Sequence, residues 1–229
     1  MLKPPFPAAA PIQRVQKNLL AVPERRLLNW LCSVLPGWVT PDLLTAAGVL
    51  GAIMTFVGYA ASGFSVAWLW LAIVGYVVQW FGDSLDGSLA RFRRIERPSY
   101  GYFIDHSCDG LVTLLILGGM GCSPFVRIDV AMLTVTGYLL LSIHSYLAAR
   151  VMGEFKLSYG IGGPTELRFV LIGLTLAMMA SGTRHEPIPG ISGYDMFVGG
   201  VGALFVLIFI VQTLVTGRRL LEAEPGNPL

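Results

Sequence analysis

The sequence predicts an all-α integral membrane protein: six transmembrane helices preceded by an N-terminal amphipathic helix lying in the membrane interface. Three observations carry that expectation. Of the 229 residues, 54% are hydrophobic and only 13% charged, and the mean hydropathy of +0.66 is far too apolar for an ordinary soluble domain. The apolar residues gather into six stretches, each long enough to cross a hydrocarbon core of roughly 30 Å as a helix. The basic residues are unevenly shared between the two sides those spans would define, fourteen against two.

Taken in order, residues 1–22 contain proline, alanine and scattered cations but no continuous apolar run, so no cleavable signal peptide is expected and the segment reads as a cytoplasmic arm. From Pro23 the pattern changes. Leu27, Leu28, Leu31, Val34 and Leu35 form an apolar stripe, with Arg26, Asn29 and Ser33 opposite and Trp30 at the border. This is the pattern of a helix lying in the interface over 23–36, opened by Pro23 and ended by Pro36 and Gly37. Thr40, Pro41 and Asp42 then start a helix, threonine as N-cap and proline at the first helical position, leading into a span that reaches Ala61.

The second span begins near Val66 and the third near Tyr100, leaving through Gly118, Gly119 and Gly121. The remaining spans are expected at 130–152, 164–181 and 196–216, so that a membrane domain covers 23–219 with its spans within 41–217, and a cytoplasmic tail covers 220–229. Six spans put both termini on one side. That side carries Lys3, Arg14, Lys17, Arg25, Arg26, the run Arg91, Arg93, Arg94 and Arg97, then Arg150, Lys156, Arg168, Arg218 and Arg219, whereas the other side has Arg127 and Arg184. Loops rich in Lys and Arg stay in the cytoplasm, so the termini and the loop between the second and third spans are expected there, in a bacterial inner or plasma membrane. Cys32, Cys108 and Cys122 match neither a disulfide framework nor a zinc pattern and read as small core residues. Gly199, Gly200 and Gly202 in the last span offer a small-residue surface for internal packing or for a dimer contact.

The chemistry is concentrated around the loop between the second and third spans. Asp83, Asp86, Gly87, Ala90 and Arg91 stand at i, i+3, i+4, i+7 and i+8, one face of a helix, and Gly101, Asp105 and Asp109 stand at i, i+4 and i+8 on the next. If the two helices form an antiparallel hairpin, Asp83 faces Asp109 and Asp86 faces Asp105 across a midpoint near Glu96. Asp83 lies 17 residues after Val66, roughly 26 Å along a helix, so the acids sit near one membrane face. Carboxylates are expensive in a membrane, and four of them at close range repel unless cations sit among them. An all-oxygen set favours a hard divalent ion such as Mg²⁺, Mn²⁺ or Ca²⁺.

At these residues the chain resembles the CDP-alcohol phosphotransferase family, whose signature has the form D-x2-D-G-x2-A-R, a spacer, then G-x3-D-x3-D. Every fixed position matches; the spacer, Phe92 to Tyr100, is nine residues against about eight in the family, a difference that falls in a turn. The resemblance implies displacement at the β-phosphorus of a CDP-linked donor by an alcohol hydroxyl, releasing CMP, one substrate being a membrane lipid and the enzyme a homodimer. It also implies two divalent ions, Mg²⁺ or Mn²⁺, held by Asp83, Asp86, Asp105 and Asp109, with Asp109 as the base. Gly87, Ala90, Arg91 and Gly101 match donor-binding positions of the signature, the small ones letting a nucleotide approach the helix backbone; helix packing for Gly87 and Ala90 and snorkelling for Arg91 are the other readings. The string from Thr40 to Thr45 resembles the family's first-helix motif, which assigns nucleotide contacts to Asp42, here in place of the usual asparagine, and Thr45; for Asp42 a first-turn helix acid is the other reading.

Other residues have plainer readings beside a functional one. His106 lies one position round from the acidic face and reads as a packing histidine, although the segment from Asp105 to Asp109 resembles that of choline and ethanolamine phosphotransferases. Arg93, Arg94 and Arg97 read as an interfacial anchor. Glu166 is explained by the helix dipole and Arg168 by snorkelling, yet both, with Lys156, stand on the motif's side and are candidates for head-group or phosphate contacts. A cation- or proton-coupled transporter would also use intramembrane acids. Against it, all four lie at one face and no second acidic site or repeated half is present for alternating access. No nucleic-acid partner is expected.

Overall fold

A computed structural model describes residues 21–152, 164–182 and 186–223. These form seven α-helices, α1 (Ala21–Val34), α2 (Pro41–Ala61), α3 (Leu69–Arg93), α4 (Pro98–Gly121), α5 (Ile128–Met152), α6 (Pro164–Ser181) and α7 (Gly193–Ala223), with a 3-10 turn at Val66–Trp68 leading into α3 and no β-strand among the described residues. Most of the expected arm at 1–22, the loop holding Lys156 and most of the tail lie outside the described residues. Five helices are long and apolar enough to cross a membrane: α2, the 3-10 turn continued by α3, α4, α5 and α7. The sixth expected span, α6, has its predicted bounds but opens on Glu166 and Arg168 and is not among those five.

The centre of the bundle is α2, and its glycines explain why. A Cβ on Gly51 would stand 2.4 Å from the backbone nitrogen of Gln79, and one on Gly82 would stand 2.4 Å from that of Gly48. Gly58 meets Ala72 and Gly75 meets Thr55 in the same way, so α2 and α3 touch backbone to backbone along their length. On another side of α2, Gly119 of α4 abuts the backbone of Phe56. This corrects one expectation: α3 and α4 do not pack along each other as a hairpin, because both are drawn against α2. Their acidic faces meet only where the helices converge on α2.

Each end has its own core. Below the acidic residues, Cys32, Val39, Leu44, Leu85 and Leu89 are buried with Leu28, Leu31 and Leu35 packed against them, so part of the α1 stripe faces protein, while Leu27, Trp30 and Val34 remain exposed. Glu24 fastens this helix: one oxygen accepts from Trp80 Nε1 at 3.1 Å and from Thr165 Oγ1 at 2.6 Å, linking α1 to α3 and α6. At the other end Tyr59, Tyr76 and Met120 are fully buried, and the Tyr59 hydroxyl lies 3.2 Å from that of Tyr76 and 2.6 Å from Thr175 Oγ1, so buried hydroxyls satisfy one another.

Helix α7 starts three residues before the expected Met196 because Ser192 and Asp195 form a reciprocal cap: Asp195 N–H donates to Ser192 Oγ at 3.0 Å, and Asp195 accepts from Ser192 N–H at 2.8 Å and Arg127 N–H at 2.7 Å. It also runs past the expected Thr216 to Ala223. Of its glycines, Gly202 packs on Thr134 of α5 and Gly199 lies near Val130, whereas nothing is within 4 Å of the position a Cβ would take on Gly200.

Candidate active site

Asp83 and Asp86 from α3 and Asp105 and Asp109 from α4 line one cleft, with Thr45 and Gly48 of α2 between them and Gln79 and Cys108 completing the wall. Glycine at 82, next to Asp83, is what lets α3 come close enough: its missing Cβ would lie 2.4 Å from the backbone nitrogen of Gly48. Thus the same seam that builds the bundle sets the depth of the acids. All four predicted ligands are brought together.

The two α3 acids are held differently. Thr45 Oγ1 donates to Asp86 Oδ2 at 2.7 Å, and the Gly87 N–H faces the other oxygen, which fixes the carboxylate plane. Thr45, expected as a donor contact, therefore holds an acid of the cleft. Asp83 pairs through Oδ2 with Nη2 of Arg168 from α6, whose Nε donates to Gln79 Oε1 at 2.7 Å. Sequence reading missed Gln79, although it stands one helical turn before Asp83 as a lone amide in an apolar stretch.

On α4, His106 is buried, with its ring centroid 4.2 Å from that of Tyr102 and stacked 5.2 Å from that of Tyr146. Its Nδ1 is 3.4 Å from Asp105 Oδ2 and 3.8 Å from Asp109 Oδ2. That is the packing role expected, with the added effect of a polar edge turned towards both carboxylates. Asp105, His106 and Asp109 each offer a ligand atom within 4.8 Å of the others. The residues fit a metal: carboxylates from two helices converge in an apolar bundle, where their mutual repulsion needs a cation, and the oxygen set suits a hard one.

The remaining candidates are placed around rather than in the cleft. A Cβ on Gly87 would meet Arg91 Nη1 at 3.4 Å, and the exposed Arg91 reaches Ser88 Oγ at 3.3 Å, so Gly87, Ala90 and Arg91 continue from the acids towards the loop end of α3. Gly101 is exposed with open space at its Cβ position. Asp42 does not reach the acids. It pairs with Arg97, whose guanidinium also lies 4.3 Å above the Tyr100 ring, closing the α3–α4 loop over the start of α2. Glu166 is half-buried in the first turn of α6. Lys156 lies outside the described residues.

Arg93, read as an anchor, turns back to the α1–α2 connection and donates to the carbonyls of Leu35 at 3.1 Å, Pro36 at 2.8 Å and Val39 at 2.5 Å. No spacing in the sequence signals that clamp, because it joins residues more than fifty positions apart.

A family model described as CDP-alcohol phosphatidyltransferase matches residues 38–216, most of the chain. Among curated relatives, archaetidylinositol phosphate synthase of Pyrococcus horikoshii is 31% identical over 134 residues, covering 58% of this chain and 67% of that protein. Cholinephosphotransferase 1 of Danio rerio is 28% identical over 109 residues, 45% of this chain and 28% of that protein, and its Xenopus laevis counterpart is 27% identical over 118 residues, 49% and 29% respectively. The chain thus spans under a third of the length of these two vertebrate relatives.

Proposed function

Since this chain belongs to the CDP-alcohol phosphatidyltransferase family, we propose that it transfers a substituted phosphate from a CDP-linked donor to an alcohol, releasing CMP, as a step in phospholipid synthesis. The observation that carries the reading is the convergence of Asp83, Asp86, Asp105 and Asp109 on one cleft. Those four acids would hold two divalent ions, Mg²⁺ or Mn²⁺. When bound, such ions neutralise diphosphate charge and polarise its phosphoryl oxygens, the main requirement of phosphoryl transfer.

The chain's own residues do the rest. Thr45 keeps the Asp86 carboxylate oriented, and Gly87 and Ala90 leave the α3 backbone open to the cytidine and its diphosphate, with Arg91 at the phosphate end. The acceptor hydroxyl oxygen bonds to the β-phosphorus as the bond from that phosphorus to the CMP oxygen breaks. The hydroxyl proton passes to Asp109 and the electron pair leaves with CMP. Gly101, exposed near the loop, belongs to the donor's approach.

Two substrate pairings share this chemistry: CDP-diacylglycerol with a soluble alcohol or alcohol phosphate, and a CDP-aminoalcohol with diacylglycerol. One kind of relative is named for transfer of choline phosphate and the other for synthesis of archaetidylinositol phosphate, so the choice rests on assay. Purified protein offered CDP-diacylglycerol with a set of alcohols, and CDP-choline or CDP-ethanolamine with diacylglycerol, should release CMP with one donor class. Release with none of them would refute the proposed activity.

The enzyme is a homodimer of six-span protomers with α1 in the interface, and the fourteen-to-two division of cations puts the α3–α4 loop and the cleft's open end in the cytoplasm, where cytidine nucleotides are found. A cysteine placed at Glu96 in a variant lacking the native cysteines should therefore be inaccessible to an impermeant maleimide in intact cells and react after permeabilisation. Labelling of intact cells would reverse the orientation.

A further inference from the structure

Arg168 of α6 pairs with Asp83, one of the four acids of the cleft. Its side chain is 14% exposed and that of its partner Asp83 is 26% exposed. The guanidinium is held at two points on successive turns of α3, by Gln79, itself 3% exposed, and by Asp83 Oδ2. A charge in such surroundings must be paired, and here the partner is one of the four carboxylates proposed to hold metal.

A divalent ion bound through Asp83 and a guanidinium on the same carboxylate would be like charges separated by a few ångströms in a site of reduced dielectric, and they disfavour one another. We propose that Arg168 is an internal counter-ion of the metal centre: it occupies Asp83 while the cleft is without divalent cations and is displaced when they bind. The proposal rests on the reading of the cleft as a metal site. The start of α6 stays in place during the exchange, because Thr165 is tied through Glu24 to Trp80 of α3. Release is then a movement of the arginine side chain alone.

The consequence is a coupling. A guanidinium displaced from Asp83 remains beside the cleft, where a phosphate-bearing ligand can take it up. Such a ligand strengthens metal binding by removing the competitor, and metal strengthens ligand binding by freeing the arginine, each by the same factor. Cation and phosphate each favour release of the arginine from Asp83, and release is most complete when both are present.

The test is Mn²⁺ binding to the purified full chain, followed by the electron paramagnetic resonance of free Mn²⁺, with and without cytidine diphosphate. Arg168→Gln should bind Mn²⁺ about tenfold more tightly than the parent in the absence of nucleotide, a factor on the scale of a single partly buried charge interaction. It should also lose most of the increase in affinity that cytidine diphosphate produces. Arg168→Lys, which keeps the charge, should remain close to the parent in both. A second neutral variant, Arg168→Met, serves if Arg168→Gln does not fold, as judged by gel-filtration profile and melting temperature. Unchanged or weaker Mn²⁺ binding in the neutral variants overturns the proposal and leaves Arg168 as a residue that positions Asp83. Asp86→Asn separates the two levels of inference. If it weakens Mn²⁺ binding while the Arg168 variants change nothing, only the counter-ion proposal falls; if it binds as the parent does, the metal reading of the cleft falls too.

Discussion

Replacing Asp109 by asparagine should lower CMP release by about 10²–10⁴-fold or more, the contribution of a positioned general base, while the protein still folds and binds its CDP-linked donor. The substitution keeps the shape of the side chain, and its neighbour His106 remains fixed between Tyr102 and Tyr146. Asp83 and Asp86 lie across the cleft on another helix and keep their own partners, Arg168 and Thr45. What is lost is the oxygen that takes the proton as the acceptor hydroxyl attacks. Donor affinity and CMP release measured side by side on the purified variant decide the role. Near-normal turnover removes Asp109 from the mechanism, and loss of donor binding together with turnover makes it a metal ligand first.

The second large effect is structural in origin. Gly82→Leu should destabilise the protein and lower activity by about 10²-fold in whatever fraction folds, the scale associated with a 1 Å misplacement of catalytic groups. Its Cβ would lie 2.4 Å from the Gly48 nitrogen and 2.4 Å from the Leu44 carbonyl oxygen, both backbone atoms that can yield only if α2 and α3 separate. Overpacking of this kind typically costs about 1–3 kcal/mol, sometimes more. Separation would also draw Asp86 away from Thr45 Oγ1, now 2.7 Å distant. Gly173→Leu on α6 is the control, since nothing lies within 4 Å of its Cβ position. Melting temperature and CMP release for the two variants test the seam; equal behaviour would show that the close approach at Gly82 does not govern the site.

These two residues also mark how much was legible in the sequence. The four acids could be found because their spacings, i, i+3 on α3 and i, i+4 on α4, are local and their chemistry is foreign to an apolar helix. The bounds of α2, Pro41–Ala61, and of α6, Pro164–Ser181, fall where expected, whereas α1 runs over Ala21–Val34 and not from Pro23 to residue 36, and α7 exceeds its expected span at both ends. The helix partners were not legible. A hairpin was the natural reading of two helices joined by a short loop, yet the close approach of Gly48, Gly51 and Gly82 puts α3 on α2, and glycine positions in one helix do not name the helix they will meet.

Long-range polar pairs were hidden for the same reason. Arg168 and Asp83 are 85 residues apart, and Arg97 and Asp42 are 55 apart, so neither pair leaves a spacing to read. Snorkelling was a sound reading for a lone arginine near a helix end, and only the path of α6 across α3 turns it towards the acids. Asp195 and Ser192 did carry a local signal, a serine followed three residues later by an acid, which the apolar run after them overshadowed.

The proposed role of the acidic cleft is that of a divalent-cation site for a CDP-linked donor. It is tested most directly by following CMP release from the productive donor and acceptor pair in Mg²⁺, in excess EDTA, and after Mg²⁺ or Mn²⁺ is restored. Turnover should vanish on chelation and return with either ion. Undiminished CMP release in excess EDTA would contradict the account.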